Sequence, residues 1–216
     1  MTQAADTAIQ DKRHKSQEQF DDEQQLVLFQ LGGENYGVDI YSVQRLIQVP
    51  DITTVPRAPG FVEGVIDVRG DIIPVINLLK RFGIPDTNVS DDGRIVITEI
   101  GEQIVGLLVD AVSEVTRLPK EDIEAPSDVV RGVNSDFIAG IGKQQQGDTG
   151  RLIIVLDVEK VLSEDQEYLA EVSSDYSSET MAAADDGSSE SDRIADIEES
   201  IEALQADADG SDEADE

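Results

Sequence analysis

The chain carries two copies of one β pattern, and this internal repeat constrains its fold more than any other feature. Residues Leu31–Val43 read L-G-G-E-N-Y-G-V-D-I-Y-S-V, and Ile100–Val112 read I-G-E-Q-I-V-G-L-L-V-D-A-V. Gly32 matches Gly101, Gly37 matches Gly106, and Val43 matches Val112. A second pairing sets Phe61–Val65 against Phe137–Ile141, and a third sets Ile72–Asn77 against Leu152–Asp157. The blocks keep their order while the spacers grow. Two similar small β units are therefore expected, with a groove between them where a partner would bind.

Each copy is roughly 70 residues, near the lower limit for a self-sufficient core. The two should lean on one another, and exchange of strands between them fits that need. Short β-branched runs cut by glycine give strands over 26–31, 37–40, 64–68, 71–78, 94–100, 105–109 and 151–158. Gly32-Gly33 and Gly101-Glu102 read as tight hairpin turns. Tyr41–Ile47 reads as a short helix or a bent segment, and Val158–Leu162 opens a C-terminal helix. Pro74, inside an apolar run, is expected at a sheet edge or bulge because it has no N–H to donate.

The ends have a different texture. Residues 1–23 are polar and mixed in charge, which predicts a disordered lead-in to an ordered region over 24–165. The tail, 166–216, holds 18 acidic residues and one basic one and is expected to be mostly disordered. Within 192–205 it contains Ile194, Ile197, Ile201 and Leu204 at helical spacing, with Asp192 placed to cap. Such a segment is either a transient helix, marginal alone, or a helix that docks in a partner's groove.

Of a net charge of −31, residues 24–165 carry −11. Nucleic-acid binding needs a basic footprint, which is absent. The acidic balance, with 6 Lys beside 10 Arg, is read as suited to a salt-rich cytoplasm; the alternative, an ordinary acidic protein, accounts for residues 24–165 but less well for the tail. There is no cysteine, no apolar run long enough to cross a membrane, and no secretory signal at the start. A cytoplasmic protein is expected. The single histidine, His14, lies in the lead-in, which leaves no preorganised catalytic base. No phosphate-binding glycine motif is present. Asp86–Gly93 resembles a calcium loop, but its glycine comes too late and no glutamate closes it, so it reads as a hairpin loop. Neither cofactor nor metal is expected, and a non-enzymatic binding module is what remains.

The segment Gly64–Leu78, G-V-I-D-V-R-G-D-I-I-P-V-I-N-L, closely resembles the N-[LIV]-R-G-x-[IV]-[IVL]-P-[IV]-x-[DN]-L signature of the CheW family of chemotaxis coupling proteins. Its one departure is Asp67 in place of asparagine. Leu28–Leu31 with Tyr36–Ile40 is similar to the family's opening hairpin, and Leu108–Val115 to its V-D-x-V-x-x-V segment. The signature alone is shared with the regulatory domain of the kinase CheA. The resemblance implies a mainly β fold of two intertwined five-stranded SH3-like barrels with short helices. It implies an adaptor that couples the cytoplasmic tips of chemoreceptors to the histidine kinase CheA, cytoplasmic and recruited to membrane receptor arrays without inserting itself. The alternative is an SH3-like scaffold, or a free regulatory module, serving other signalling partners. Carried over by motif, the receptor contacts fall on Val43, Gly64, Arg69, Val112 and Val115 in the groove between barrels. Arg69 also has a structural reading, in which it fixes the turn at Gly70. The kinase contacts fall on Ile52, Thr53 and Val55, between Pro50 and Pro59. Arg45 stands where relatives often carry glutamate.

Overall fold

The computed structural model describes residues 22–85, 92–101, 103–126, 135–146, 149–163, 165, 168–169 and 190–209. In chain order the strands are β1 (Glu23–Leu31), β2 (Glu34–Asp39), β3 (Val43–Gln48), β4 (Val62–Val68), β5 (Asp71–Asn77), β6 (Arg94–Ile100), β7 (Gln103–Val109), β8 (Ala111–Pro119), β9 (Ile123–Glu124), β10 (Ile138–Gln146) and β11 (Thr149–Leu156). Helix α1 (Leu78–Phe82) follows β5, α2 (Val158–Val161) follows β11, and α3 (Glu190–Asp209) comes last.

Two sheets form, ordered β8-β1-β2-β11-β10-β9 and β3-β6-β7-β5-β4. The hairpin that opens each repeat is lodged in the sheet of the other. Hairpin β1–β2 sits between β8 and β11, and β6–β7 sits between β3 and β5. The result is two intertwined SH3-like barrels. The lodged hairpins meet their hosts through parallel pairs at equivalent places: Gly37 opposite Val155, and Gly106 opposite Val75. Side chains crowd both glycines. A Cβ on Gly106 would stand 2.7 Å from Cγ2 of Ile95, and one on Gly37 would stand 3.0 Å from Cδ2 of Leu28.

The repeat also governs how each barrel ends. Asn77 donates its N–H to the Phe61 carbonyl at 2.8 Å, while its side chain accepts the Lys80 N–H and caps α1. Asp157 donates to the Phe137 carbonyl at 2.8 Å and caps α2 through the Lys160 N–H. Among the described residues, side chains then divide into three larger cores and a small cluster of Val55 and Val65. Leu26, Leu28, Leu118, Ile153 and Val155 fill one barrel; Ile66, Ile73, Val75, Ile95, Ile97 and Leu108 fill the other. Val27, Phe29, Leu31, Val38, Val96, Leu107 and Leu156 belong to a shared core between them. Alternate residues of β1 thus enter different cores, so the strand is apolar on both faces.

Several expectations need correction. Tyr41–Ile47 is neither a helix nor a simple bend: a single 3-10 turn at Ile40–Ser42 leads straight into β3. Pro74 is not at an edge, since β5 runs between β4 and β7. Its ladder partner Val65 exchanges both backbone hydrogen bonds with Thr53 instead, at 2.9 and 2.8 Å. The missing N–H therefore costs the β4–β5 ladder nothing. The stretch 86–93 is not a hairpin loop, because it joins α1 to β6, and β6 pairs with β3 and β7; 86–91 lie outside the described residues, as do His14, Glu102 and nearly all of the lead-in.

Candidate functional site

Three of the five receptor-contact candidates come together. Val43 opens β3, and Val112 and Val115 lie on β8; β3 and β8 are edge strands of the two sheets and partners in the repeat. Val43 is buried in the shared core, and the half-buried Val112 and Val115 pack against it. On β8, Thr116 donates no side to this surface: its hydroxyl accepts from Gln144 Nε2, and Leu118 fills the barrel core. By strand alternation Val115 faces the other way, toward the shared core, and the exposed Arg117 lies on that same side of the strand. Directly across on β1, Val27 pairs with Val115 and Gln25 with Arg117.

This surface is covered by α3. The helix packs against β3, β8 and the Ile40–Ser42 turn. Ile197 and Ile201 retain 1% and 4% of their exposure, and Ile194 is half-buried against the same core. Gln25 Nε2 donates to Glu198 Oε1 at 3.3 Å at the margin. Two buried isoleucines contribute on the order of 3–6 kcal/mol gross. Against this stands the entropy of ordering a long helix, about 1–2 kcal/mol per residue for the backbone. Ile194, Ile197 and Ile201 seat a long element that is otherwise rich in acidic residues. Apolar spacing in 192–205 marked this helix, but its docking on its own domain is legible only in three dimensions.

Gly64 lies elsewhere, on β4 at the far edge of its sheet from β3. Its φ is +155°, and a Cβ there would stand 2.2 Å from the Thr53 carbonyl oxygen and 2.7 Å from Cγ2 of Ile52. It belongs with the kinase-contact candidates. Thr53 bridges to Val65 through its backbone and keeps its side chain exposed. Val55 packs on Val65, and Ile52 packs against the barrel core.

Arg69 and Gly70 form the two-residue turn of the β4–β5 hairpin, with φ of 58° and 99°. The turn at Gly70 is closed by Asp67, whose Oδ1 accepts the Gly70 N–H at 2.7 Å. A carboxylate serves there as well as the asparagine of the signature would, because only an acceptor oxygen is needed. Arg69 itself is exposed, although an L-residue at such a φ costs roughly 1–2 kcal/mol. Arg45, on β3, is half-buried. Among the described residues there is no group of three or more His, Asp or Glu placed to hold a metal ion, and no helix long and apolar enough to cross a membrane.

Two barrels that exchange hairpins, with an apolar surface across their equivalent edge strands on which a helix packs, define a β scaffold. The CheW-like domain family matches residues 25–166, and the chain belongs to that family of chemotaxis adaptors. It is 35% identical over 147 residues to the chemotaxis protein CheW of Treponema pallidum, covering 66% of this chain and 84% of that one. It is 30% identical over 143 residues to CheW of Klebsiella aerogenes, covering 66% and 84%. The crystal structure of the scaffolding protein TtCheW from Thermoanaerobacter tengcongensis aligns with a TM-score of 0.60 at 39% identity, covering 66% of this chain and 89% of that one.

Proposed function

We propose that the protein couples the cytoplasmic tips of chemoreceptors to the histidine kinase CheA, with no catalytic step of its own. In this reading a receptor helix lies on the surface of Val43, Val112 and Val115, with the exposed Arg69 contributing to receptor contact, while the buried Gly64 seats the Ile52–Val55 loop. CheA engages the loop of Ile52, Thr53 and Val55. The protein works in the cytoplasm and is recruited to receptor arrays at the membrane. One observation carries the proposal: the Val43–Val112–Val115 surface accepts an amphipathic helix, since it holds the isoleucine stripe of α3. The exposed Arg69 supports it, because backbone strain kept at a solvent-facing residue accompanies a binding role. We further infer that the acidic composition suits a salt-rich cytoplasm.

Reconstitution tests the coupling. The full chain, a soluble receptor fragment bearing the hairpin tip, and CheA are combined, and ternary complex formation is followed by co-sedimentation. Recovery of CheA with the receptor fragment only when the protein is present is the expected result. Failure to bind either partner would return the protein to the class of general SH3-like scaffolds.

A further inference from the structure

We propose that α3 is a tethered occupant of the receptor surface, so that helix docking and receptor binding exclude one another. This rests on the coupling function proposed above and names its regulation. The argument begins with place. Val43 and Val112 are repeat partners on the equivalent edge strands β3 and β8, and α3 packs against both strands. It therefore occupies an apolar surface that spans the two barrels at positions related by their internal symmetry. Its buried face, Ile194, Ile197 and Ile201, presents the i, i+3, i+7 anchors by which a partner helix fills a groove.

Charge argues that the docked state is reversible. Helix α3 carries eight acidic residues and one arginine, and it lies on a domain that is itself net acidic. Repulsion between two net-acidic partners opposes docking at long range, and the buried isoleucines, with the Gln25–Glu198 contact at the margin, favour it. Helix α3 also lies beyond residues 25–166, which the family match covers, and so is an addition to the domain. A partner that binds only the open state sees its affinity reduced by the open fraction. If about one molecule in ten is open, receptor binding weakens about tenfold.

The chain has no cysteine, so Gln25→Cys with Glu198→Cys creates a unique pair where the helix margin meets β1. The full-length double variant is measured before and after closure with a short bis-maleimide, using a soluble receptor fragment with the hairpin tip as probe. Closure should lower receptor affinity by at least tenfold. In a second full-length variant, Ile197→Asp with Ile201→Asp, affinity should rise about tenfold over the unaltered protein. Equal affinity in the bridged and unbridged forms would overturn the proposal while leaving receptor coupling intact. An Ile197→Asp, Ile201→Asp chain that fails to fold would also overturn it, since α3 would then be a fixed part of the core. Absence of receptor binding in every form, the released helix included, would instead defeat the coupling function itself.

Discussion

Phe61 and Phe137 hold equivalent positions in the two repeats, and one cation stands over both rings. The Arg81 guanidinium lies 4.4 Å from the centroid of the first and 5.2 Å from that of the second. The same group donates from Nε to the Val161 carbonyl at 3.0 Å and pairs with Asp165 at 2.8 Å. A residue of the first repeat thus ties its own barrel to the helix that closes the other. Arg81→Met should keep the aliphatic stem and lose about 2–4 kcal/mol, because it strands a largely buried carboxylate and removes the cation from two rings. Thermal melting should fall by roughly 5–15 °C. A change under 2 °C would mean the barrels are held by the apolar core alone.

Gly64→Ala should be among the most damaging small substitutions in the domain. Its Cβ would enter the Thr53 carbonyl, and backbone cannot move aside as a side-chain tip can. A loss above about 3 kcal/mol is expected, in the range of overpacking and φ strain combined. Gly60→Ala meets nothing within 4 Å and serves as the control. Equal melting temperatures for the two variants would contradict the close approach of β4 to the Ile52–Val55 loop.

Arg69 separates binding from folding through its backbone. Arg69→Ala should leave the melting temperature nearly unchanged and weaken receptor binding about ten- to a hundredfold, as loss of a charge-assisted contact does. Arg69→Gly relieves the positive φ and should hold or raise stability while showing the same binding loss. Titration calorimetry beside melting curves reads both. Unaltered receptor affinity in the two folded variants would remove Arg69 from the receptor surface.

Salt tests the composition. With a net charge of −31, self-repulsion reaches about 30 Å at 0.01 M salt and about 8 Å at 0.15 M, so stability should climb over that interval. Adaptation to a salt-rich cytoplasm predicts a melting temperature that continues to climb into the molar range. A plateau above 0.15 M would reduce the acidity to ordinary screening.

The repeat made the architecture legible because glycines and apolar residues must recur wherever two strands approach in the same way. Gly37 with Gly106 and Asn77 with Asp157 occupy matched roles in the structure. Strands β3 and β8 were obscured because V-Q-R-L-I-Q and A-V-S-E-V-T-R-L-P mix charge with apolar residues, and each ladder slips by a bulge. Pro74 misled because the cost of a missing N–H depends on which neighbour would have received it, a property of register. Of the candidate site, the resemblance supplied names, while the grouping of Gly64 with Thr53 rather than with Val43 came from topology.

The exchanged hairpins bear on how the chain is made. The hairpin β1–β2 can pair within itself, but β1 finds its second neighbour only when β8 exists, since Glu23 pairs with Pro119, and β2 waits further for Val155 of β11. During synthesis the barrel of β3 to β7 can close first, while β1 and β2 remain outside with both apolar faces wet. At ribosomal speeds of about 5–20 residues per second, that exposure lasts several seconds. The N-terminal hairpin is therefore the segment of a nascent chain most in need of protection, and the last to be folded although it is the first to be born.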